Sequence, residues 1–278
     1  MVEHSGTGLL LAIDGDSLAH RAYHGLPKTI RSKTGRPSNA LVGFGGFLIA
    51  LWESERPAAV LVGFDTLEVP TSRSLALPGY QAGRAFDEEI VEQLGRLPEL
   101  IESFGFAVAK APGFEADDFL AAASAAWEGP VSVVTSDRDA YQLVDERVTV
   151  LQPRKGVGEL ARIDPAGVRE RYGVEPAQVP DFIALRGDPS DRIPGVPGVG
   201  PKKAAQLLGG YGTIEGLLAA GRYADMADDL RLYRAVAQMD VHAPIPPIRA
   251  RPPDWEGAAA KARSLGLEGL AGRLAERA

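Results

Sequence analysis

The chain has 278 residues, of which 45% are apolar, and its 30 basic and 37 acidic side chains give a net charge of −7. It contains no cysteine, which excludes disulfides, thiolate zinc sites and a cysteine nucleophile and is typical of a reducing compartment. No apolar run is long enough to cross a membrane and the first eight residues lack a signal-peptide core, so we expect a cytoplasmic protein without membrane contact.

Short apolar runs rich in β-branched residues predict five strands. They lie at 9–13, 58–64, 106–110, 131–135 and 148–152. Helical patterns alternate with them and begin near Ser38, Asp87, Glu115 and Asp139. This alternation predicts an α/β fold with a parallel sheet.

The pattern changes after about residue 160, where short helices are interrupted by Pro and Gly and a Pro-rich connector at 243–253 leads to a final helical pair. We therefore expect a sheet-containing body at 1–162 and a helical region at 163–278. Residues 66–86 lack periodicity, and a loop of this length in a compact domain is usually functional or disordered.

Acidic residues follow three of the predicted strands. Asp14 follows the first strand, Asp65 the second, and Asp137 with Asp139 the fourth. Because sites in parallel sheets form at the carboxyl ends of strands, we expect these acids to meet. More acids stand in the first turn of a predicted helix or before a glycine-rich turn: Glu115, Asp117, Asp118, Asp188 and Asp191.

Such a set of carboxylates repels itself unless cations are present. Oxygen ligands without Cys or clustered His indicate Mg²⁺ or Mn²⁺, and the set is large enough for two ions. Subtracting ten clustered acids, Asp16 included, leaves 27 acids against 30 bases, which indicates an acidic pit with a basic rim.

A second interpretation makes Asp14 a nucleophile. Haloacid-dehalogenase-type phosphatases carry an Asp-x-Asp motif after the first strand, and "DGDS", "VVTS" and "GDPSD" match their motifs in part. That interpretation leaves Asp65, "EADD" and "SDRD" without a role, so the metal hypothesis is favoured.

The segment "GVGPKKA" indicates an anion site. Gly198 and Gly200 permit a tight turn, the following helix exposes backbone N–H groups, and Lys202 and Lys203 stand beside them. This combination suits a DNA phosphate, and Asp191 lies seven residues earlier.

The segments "AIDGDSLAHRAYHG", "FD", "GYQAGR", "FEADD", "TSDRDAYQLV" and "GDPSDRIPGVPGVGPKKAAQLL" together resemble the 5′-nuclease domain of bacterial DNA polymerase I, in the flap endonuclease superfamily. The resemblance implies a PIN-like body, a helix-three-turn-helix unit at about 180–210 that grips duplex DNA, and a K⁺ at its Gly-x-Gly turn. It also implies two divalent metals. One lies nearer Asp14, Asp65, Glu115 and Asp117, and the other nearer Asp137, Asp139, Asp188 and Asp191, with Asp118 matching a further acid of the motif.

The implied activity is cleavage of flapped, nicked or 5′-ended duplex DNA in replication and repair, by a stand-alone, monomeric enzyme of the nucleoid. We expect Arg73 and Arg84 to hold phosphate and Tyr80 to stack on a base or pack on the body. Arg21 and Tyr23 are expected at the mouth of the site, with a core position as the alternative for Tyr23, and Arg192 is expected among the DNA contacts.

The sequence departs from the family pattern at two positions. Gln81 stands where members usually carry Lys, which leaves open a catalytically weak DNA-structure-binding protein. Asp16 stands where members usually lack an acid, and could be a further metal ligand, a residue behind the ligands, or the cap of a helix beginning at Ser17.

Overall fold

The structure, a computed structural model, describes residues 7–66, 69–83, 86–155 and 159–278. Its centre is a six-stranded sheet with the order β3-β2-β1-β4-β5-β6. The strands are β1 Leu10–Asp14, β2 Ala59–Gly63, β3 Ala107–Ala109, β4 Val131–Val134, β5 Val148–Lys155 and β6 Glu159–Ile163. The first five strands are parallel, and β6 is antiparallel to β5.

Twelve α-helices lie between and after the strands in the described chain. They are α1 Gly15–Gly25, α2 Asn39–Glu55, α3 Ser72–Ala76, α4 Glu88–Glu102, α5 Ala116–Ala126, α6 Pro165–Tyr172, α7 Val179–Arg186, α8 Pro201–Tyr211, α9 Ile214–Ala219, α10 Ala227–Ala237, α11 Trp255–Ser264 and α12 Glu268–Ala275. Short 3₁₀ helices lie at Asp139–Leu143, Pro176–Gln178 and Ala224–Met226. Within these ranges no helix combines the length and apolarity needed to cross a membrane.

Alternate residues of β1 build the cores on the two faces of the sheet, because successive strand side chains point to opposite sides. Leu10 and Ala12 join the cluster formed with α5 and helices α7 to α10. Leu11 and Ile13 join the cluster formed with α1, α2, α4 and the final pair α11 and α12. The final helices therefore pack beside the first ones.

The predicted α/β class, with a mainly parallel sheet and a helical C-terminal region, is confirmed. All five predicted strands are present, while β6 was missed because its segment "ELARI" is half exposed and not a continuous apolar run. The helix expected at Asp139 is a 3₁₀ helix. The division at residues 162 and 163 stays a prediction.

The chain between α7 and α8 makes a tight hairpin that positions two acids. Asp188 and Ile193 exchange both backbone hydrogen bonds, each 2.8 Å long. Gly187 and Gly195 adopt positive φ angles of 75° and 70°, which glycine tolerates best. Val196 and Val199 are buried in the core and anchor the following turn. This turn leads into α8, whose N-cap is Gly200.

Replacing Gly195 with Ala should destabilise the protein strongly, because a Cβ there would lie 2.3 Å from the backbone N of Gly187. Gly198 is the matched control, since it has a positive φ of 75° but a Cβ at this position would meet no atom within 4 Å. We expect Gly198→Ala to cost about 1–2 kcal/mol for the left-handed backbone, and Gly195→Ala about 1–3 kcal/mol more for the clash. Denaturant unfolding measures both, and equal losses would contradict the close approach.

Candidate active site

A cleft of about 970 Å³ opens at the carboxyl edge of the sheet. Its acidic lining residues are Asp14, Asp16, Asp65, Glu115, Asp117, Asp137, Asp139, Asp188 and Asp191. Eight of these nine are acids that the sequence assigned to metal binding, and they come from strand ends, the first turn of α5 and the hairpin before α8. The fold thus brings together acids that are up to about 180 residues apart in sequence.

Asp14 ends β1 and caps α1. Its Oδ1 accepts the Ser17 N–H at 2.9 Å, and its Oδ2 accepts the Thr135 hydroxyl at 2.7 Å. Burial raises the pKa of Asp14 to about 7, and the neighbouring carboxylates Asp65 and Asp137 add to the increase. Asp14 is therefore fixed in position by donors that do not neutralise its charge.

Asp16 is not the cap of α1, as one expectation held, because Asp14 occupies that position. Its Oδ2 instead accepts the backbone N–H of Asp65 at 2.8 Å, and Asp65 in turn accepts the N–H of Ala116 at 2.7 Å. Burial and the charge of Asp65 raise the pKa of Asp16 well above its usual range. These bonds join the ends of β1 and β2 to the start of α5.

Arg73 lies in the aperiodic segment 66–86, where the sequence analysis expected it to hold phosphate, but its side chain is buried. It belongs to α3, is only 5% exposed, and its guanidinium binds three carboxylates of the α5 N-terminus. One nitrogen donates to Glu115 at 2.7 Å and Asp117 at 2.9 Å, and the other donates to Asp118 at 2.5 Å. In this arrangement Arg73 acts as a resident cation for these three carboxylates, and its expected contact with phosphate stays a prediction.

Asp118 is the predicted metal ligand that does not line the cleft. Its Oδ1 accepts Arg73 and the N–H of Asp240, and its Oδ2 accepts the N–H of Glu115. Burial and the nearby Asp117 raise its pKa to about 7. Since both oxygens bind protein donors, the position of Asp118 fits a structural bond between α5 and the C-terminal region.

The second group of acids lies across the cleft. Asp139 is surrounded by Asp137, Asp188 and Asp191, and burial together with these charges raises its pKa well above the usual range. Asp188 behaves oppositely: burial alone would raise its pKa, but hydrogen bonds from Ser190 and the Arg186 guanidinium hold it below the usual range. Arg186 donates to Asp188 at 2.9 Å.

Tyr80 is buried, so the alternative of a tyrosine packed on the body describes its position, and it is not exposed for stacking on a base. Its hydroxyl donates to Glu115 Oε2 at 3.0 Å. The Gln81 amide nitrogen donates both to this hydroxyl, at 2.9 Å, and to Asp191 Oδ1, at 3.1 Å. Gln81 therefore lies in the cleft between the two groups of acids.

Tyr23 is also buried, with 1% exposure, and its hydroxyl donates to Asp87 on the α4 side. Tyr23 therefore has the core position that was the alternative to a place at the mouth of the site. Arg21 lies beside a second groove, which shares Ser17, His20 and Ser136 with the acidic cleft, and it donates to the carbonyl of Arg154 at 2.6 Å. Arg84 lies outside the described residues.

The glycine-rich turn is open to solvent. Gly198, Gly200, Lys202 and Lys203 are exposed, and Pro201 of the same first turn of α8 lines the cleft. Arg192, with a φ of 57°, is exposed on the hairpin. Sequence analysis missed two exposed arginines at the cleft: Arg138 lies inside the motif "TSDRDAYQLV" but was given no role, and Arg171 lies outside the quoted motifs.

The donor set fits hard divalent cations. All nine acidic side chains carry carboxylate oxygens, which are the ligands that such cations prefer. The described lining also contains four arginines, which offset part of the negative charge. Glu115 Oε1 is buried without a hydrogen-bond partner, which leaves an acceptor for a cation. Across the described ranges, no three carboxylate or imidazole groups already converge as a finished metal site.

Replacing Arg73 with Met should destabilise the protein by about 3–5 kcal/mol, because it leaves buried carboxylates without their cation. The matched control is Arg231→Met, which breaks an ion pair with Glu215 whose side chains are 52% and 60% exposed. The control should change stability little, because exposed pairs are well solvated. Denaturant unfolding checks both variants, and an equally small loss at Arg73 would contradict its role as a resident cation.

Comparisons with known proteins point to one family. Residues 9–173 match the family model "5′-3′ exonuclease, N-terminal resolvase-like domain", and residues 174–251 match "5′-3′ exonuclease, C-terminal SAM fold". DNA polymerase I of Mycobacterium tuberculosis is 46% identical over 214 residues, covering 75% of this chain and 24% of that protein. A 5′-3′ exonuclease of Streptomyces coelicolor is 39% identical over 224 residues, covering 76% and 74%. The chain thus spans about a quarter of the polymerase relatives that it matches.

Solved structures share the fold. The T5 D15 protein co-crystallised with metal ions aligns with a TM-score of 0.69 at 18% identity, covering 96% of this chain and 98% of that one. The catalytic core of Rad2 in complex with a DNA substrate aligns at 0.59 with 15% identity, covering 97% and 90%. The predicted resemblance is confirmed and the phosphatase interpretation of Asp14 is wrong. Because one family model alone covers more than half of its residues, the chain belongs to the 5′-3′ exonuclease family.

Proposed function

We propose that the protein is a metal-dependent 5′-nuclease that hydrolyses flapped, nicked or 5′-ended duplex DNA, acting as a monomer at the nucleoid. The observation that carries the proposal is the meeting of nine carboxylates in one cleft, directly beside the exposed first turn of α8. DNA-bound and metal-bound structures of fold relatives support the same activity.

Asp14, Asp65, Glu115 and Asp117 would hold one divalent ion, and Asp137, Asp139, Asp188 and Asp191 the other. When bound, two such ions supply the Lewis acidity for hydrolysis of a phosphodiester. The protein's own part is to fix the oxygens: Ser17 and Thr135 hold Asp14, and Arg73 holds one oxygen of Glu115 while the other stays without a partner. Mg²⁺ and Mn²⁺ both suit these ligands.

DNA would be held beside the cleft. The exposed Lys202 and Lys203, with the N–H groups at the start of α8, provide a grip for a backbone phosphate. The turn of Gly198 and Gly200 would carry a K⁺, and Arg192 a further contact. The exposed Arg138 and Arg171 at the cleft provide positive charge nearer to the reacting phosphate.

A 5′-labelled flap substrate tests the proposal directly. Cleavage should appear with Mn²⁺ or Mg²⁺, disappear with EDTA, and be slower on single-stranded or blunt duplex DNA. Binding of the flap without cleavage in any metal would support instead a DNA-structure-binding protein. Neither binding nor cleavage would reject the proposed function.

Replacing Asp137 with Ala should abolish cleavage yet leave the affinity for flap DNA equal to or above that of the wild type. The reason is that the change removes a proposed metal ligand and also removes a charge that repels phosphate. Asp228→Ala is the matched control, because this acid is fully exposed and outside the cleft. Single-turnover cleavage and binding titrations in Ca²⁺ check both variants, and parallel loss of binding and cleavage would argue against a ligand role.

Replacing Lys202 and Lys203 together with Ala should weaken binding to all duplex substrates alike. The slope of log affinity against log salt concentration should become shallower by an amount that corresponds to the loss of up to about two phosphate contacts. The control is the double variant Lys33→Ala, Lys261→Ala, which removes the same number of positive charges. Both lysines lie outside the cleft, where Lys33 pairs with Glu268 and Lys261 pairs with Glu99. An unchanged salt slope would show that Lys202 and Lys203 do not contact DNA.

A further inference from the structure

A continuous hydrogen-bonded chain crosses the cleft through Tyr80 and Gln81. Asp191 Oδ1 accepts the Gln81 amide at 3.1 Å, the same amide donates to the Tyr80 hydroxyl at 2.9 Å, and that hydroxyl donates to Glu115 Oε2 at 3.0 Å. The backbone adds a parallel link, because the Gln81 N–H donates to the Asp191 carbonyl at 3.3 Å. We call the pair Tyr80 and Gln81 the strap.

The strap joins parts of the protein that the sheet does not hold together. Glu115 is the N-cap residue of α5, which follows β3, whereas Asp191 belongs to the hairpin between α7 and α8. The strap itself comes from the segment after α3 and belongs to neither of them. It therefore connects one acid of each proposed metal group.

The chemistry of both side chains suits this link. A carboxamide nitrogen has two N–H donors, so Gln81 serves Asp191 and Tyr80 at once, and a phenol can accept one bond while donating another. Gln81 brings no charge, so it holds Asp191 without competing electrostatically with a cation. Arg73 binds the same oxygen of Glu115 as Tyr80 does, which leaves Glu115 Oε1 without a partner.

The strap is also held in one conformation. Tyr80 is 7% exposed and packs in the core cluster of α5 and the C-terminal helices. Gln81 has a φ of 49°, a left-handed conformation that is uncommon for residues other than glycine and persists where surrounding contacts impose it. Side chains held in this way can keep Asp191 and Glu115 at a constant distance, whereas freely rotating side chains would not.

We propose that Tyr80 and Gln81 are positioning residues that fix the separation between the two groups of metal-binding carboxylates. The inference rests on the proposed function, because two-metal hydrolysis needs ions held about 3.5–4 Å apart. Thr135 connects Asp14 to Asp137 at the edge of the sheet, because its hydroxyl donates to Asp14 and accepts the N–H of Asp137 at 3.0 Å. The strap adds the link that this pair does not make, from Asp191 on the hairpin to Glu115.

Calorimetric titration of the intact protein with Mn²⁺, without DNA, tests the proposal. The variants are Tyr80→Phe, Gln81→Ala and the double variant, and the control is Tyr141→Phe, which removes one buried hydroxyl bonded to Gln152 at 2.9 Å. Each strap variant should weaken Mn²⁺ binding by about three- to tenfold, the value of one hydrogen bond to a polar or charged group. The control should bind as the wild type does.

The double variant separates a connected strap from two independent contacts. If the chain of hydrogen bonds acts as one unit, breaking it twice should weaken binding little more than breaking it once. Single-turnover cleavage should show a higher Mn²⁺ concentration for half-maximal rate, with much of the rate recovered at saturation. Thermal unfolding in EDTA should match the Tyr141→Phe control, which excludes a general loss of structure.

Three results would overturn the inference. They are unchanged Mn²⁺ binding in both strap variants, tighter binding in Gln81→Ala, or fully additive losses in the double variant. A wild-type protein that binds Mn²⁺ but cleaves no flap DNA would reject the proposed function, whereas a strap without effect in an active enzyme would reject only the positioning role.

Discussion

The mutual repulsion of carboxylates at one edge of the sheet is the constraint on which the rest of the structure depends. Nine acids share a cleft, and burial together with neighbouring charge raises the pKa of Asp14, Asp16 and Asp139 above the usual range. Such an arrangement costs stability, which is common where a protein keeps a functional site. Within the described residues, nearby groups offset this repulsion. Arg73 neutralises part of the negative charge at the N-terminus of α5, and backbone N–H groups donate hydrogen bonds to Asp14, Asp16 and Asp65.

These ion pairs and hydrogen bonds divide the acids into two kinds. Asp118 has both oxygens bound to protein donors and stands behind the cleft, so its charge serves the fold. Glu115 keeps one buried oxygen without a partner and faces the cleft, so its charge is available to a cation. The two residues are three positions apart and chemically alike, and the difference between them comes from which oxygen Arg73 and the backbone reach.

The acids of the cleft are placed by two different parts of the fold. The acids at the strand ends and at α5 are placed by the parallel sheet, because the residues that follow parallel strands lie together at its carboxyl edge. Asp188 and Asp191 are placed by a glycine-dependent hairpin between two helices. Two-metal chemistry requires both sets of acids to be held at fixed positions relative to one another. The hydrogen bonds from Asp191 through Gln81 and Tyr80 to Glu115 connect the hairpin to the start of α5.

The sequence by itself determined the α/β class, the five parallel strands, the family and most of the acidic cleft, because strand periodicity and the position of an acid after a strand are local properties. It could not place Arg73, Tyr80 or Tyr23, since a side chain in an aperiodic segment becomes buried or exposed only through partners that are distant in the chain. It also missed β6, Arg138 and Arg171, and it could not assign Asp16. Only the tertiary structure decided these, because hydrogen bonding and burial depend on which segments meet: Asp16 finds its partner 49 residues away at Asp65, and Gln81 finds Asp191 110 residues away.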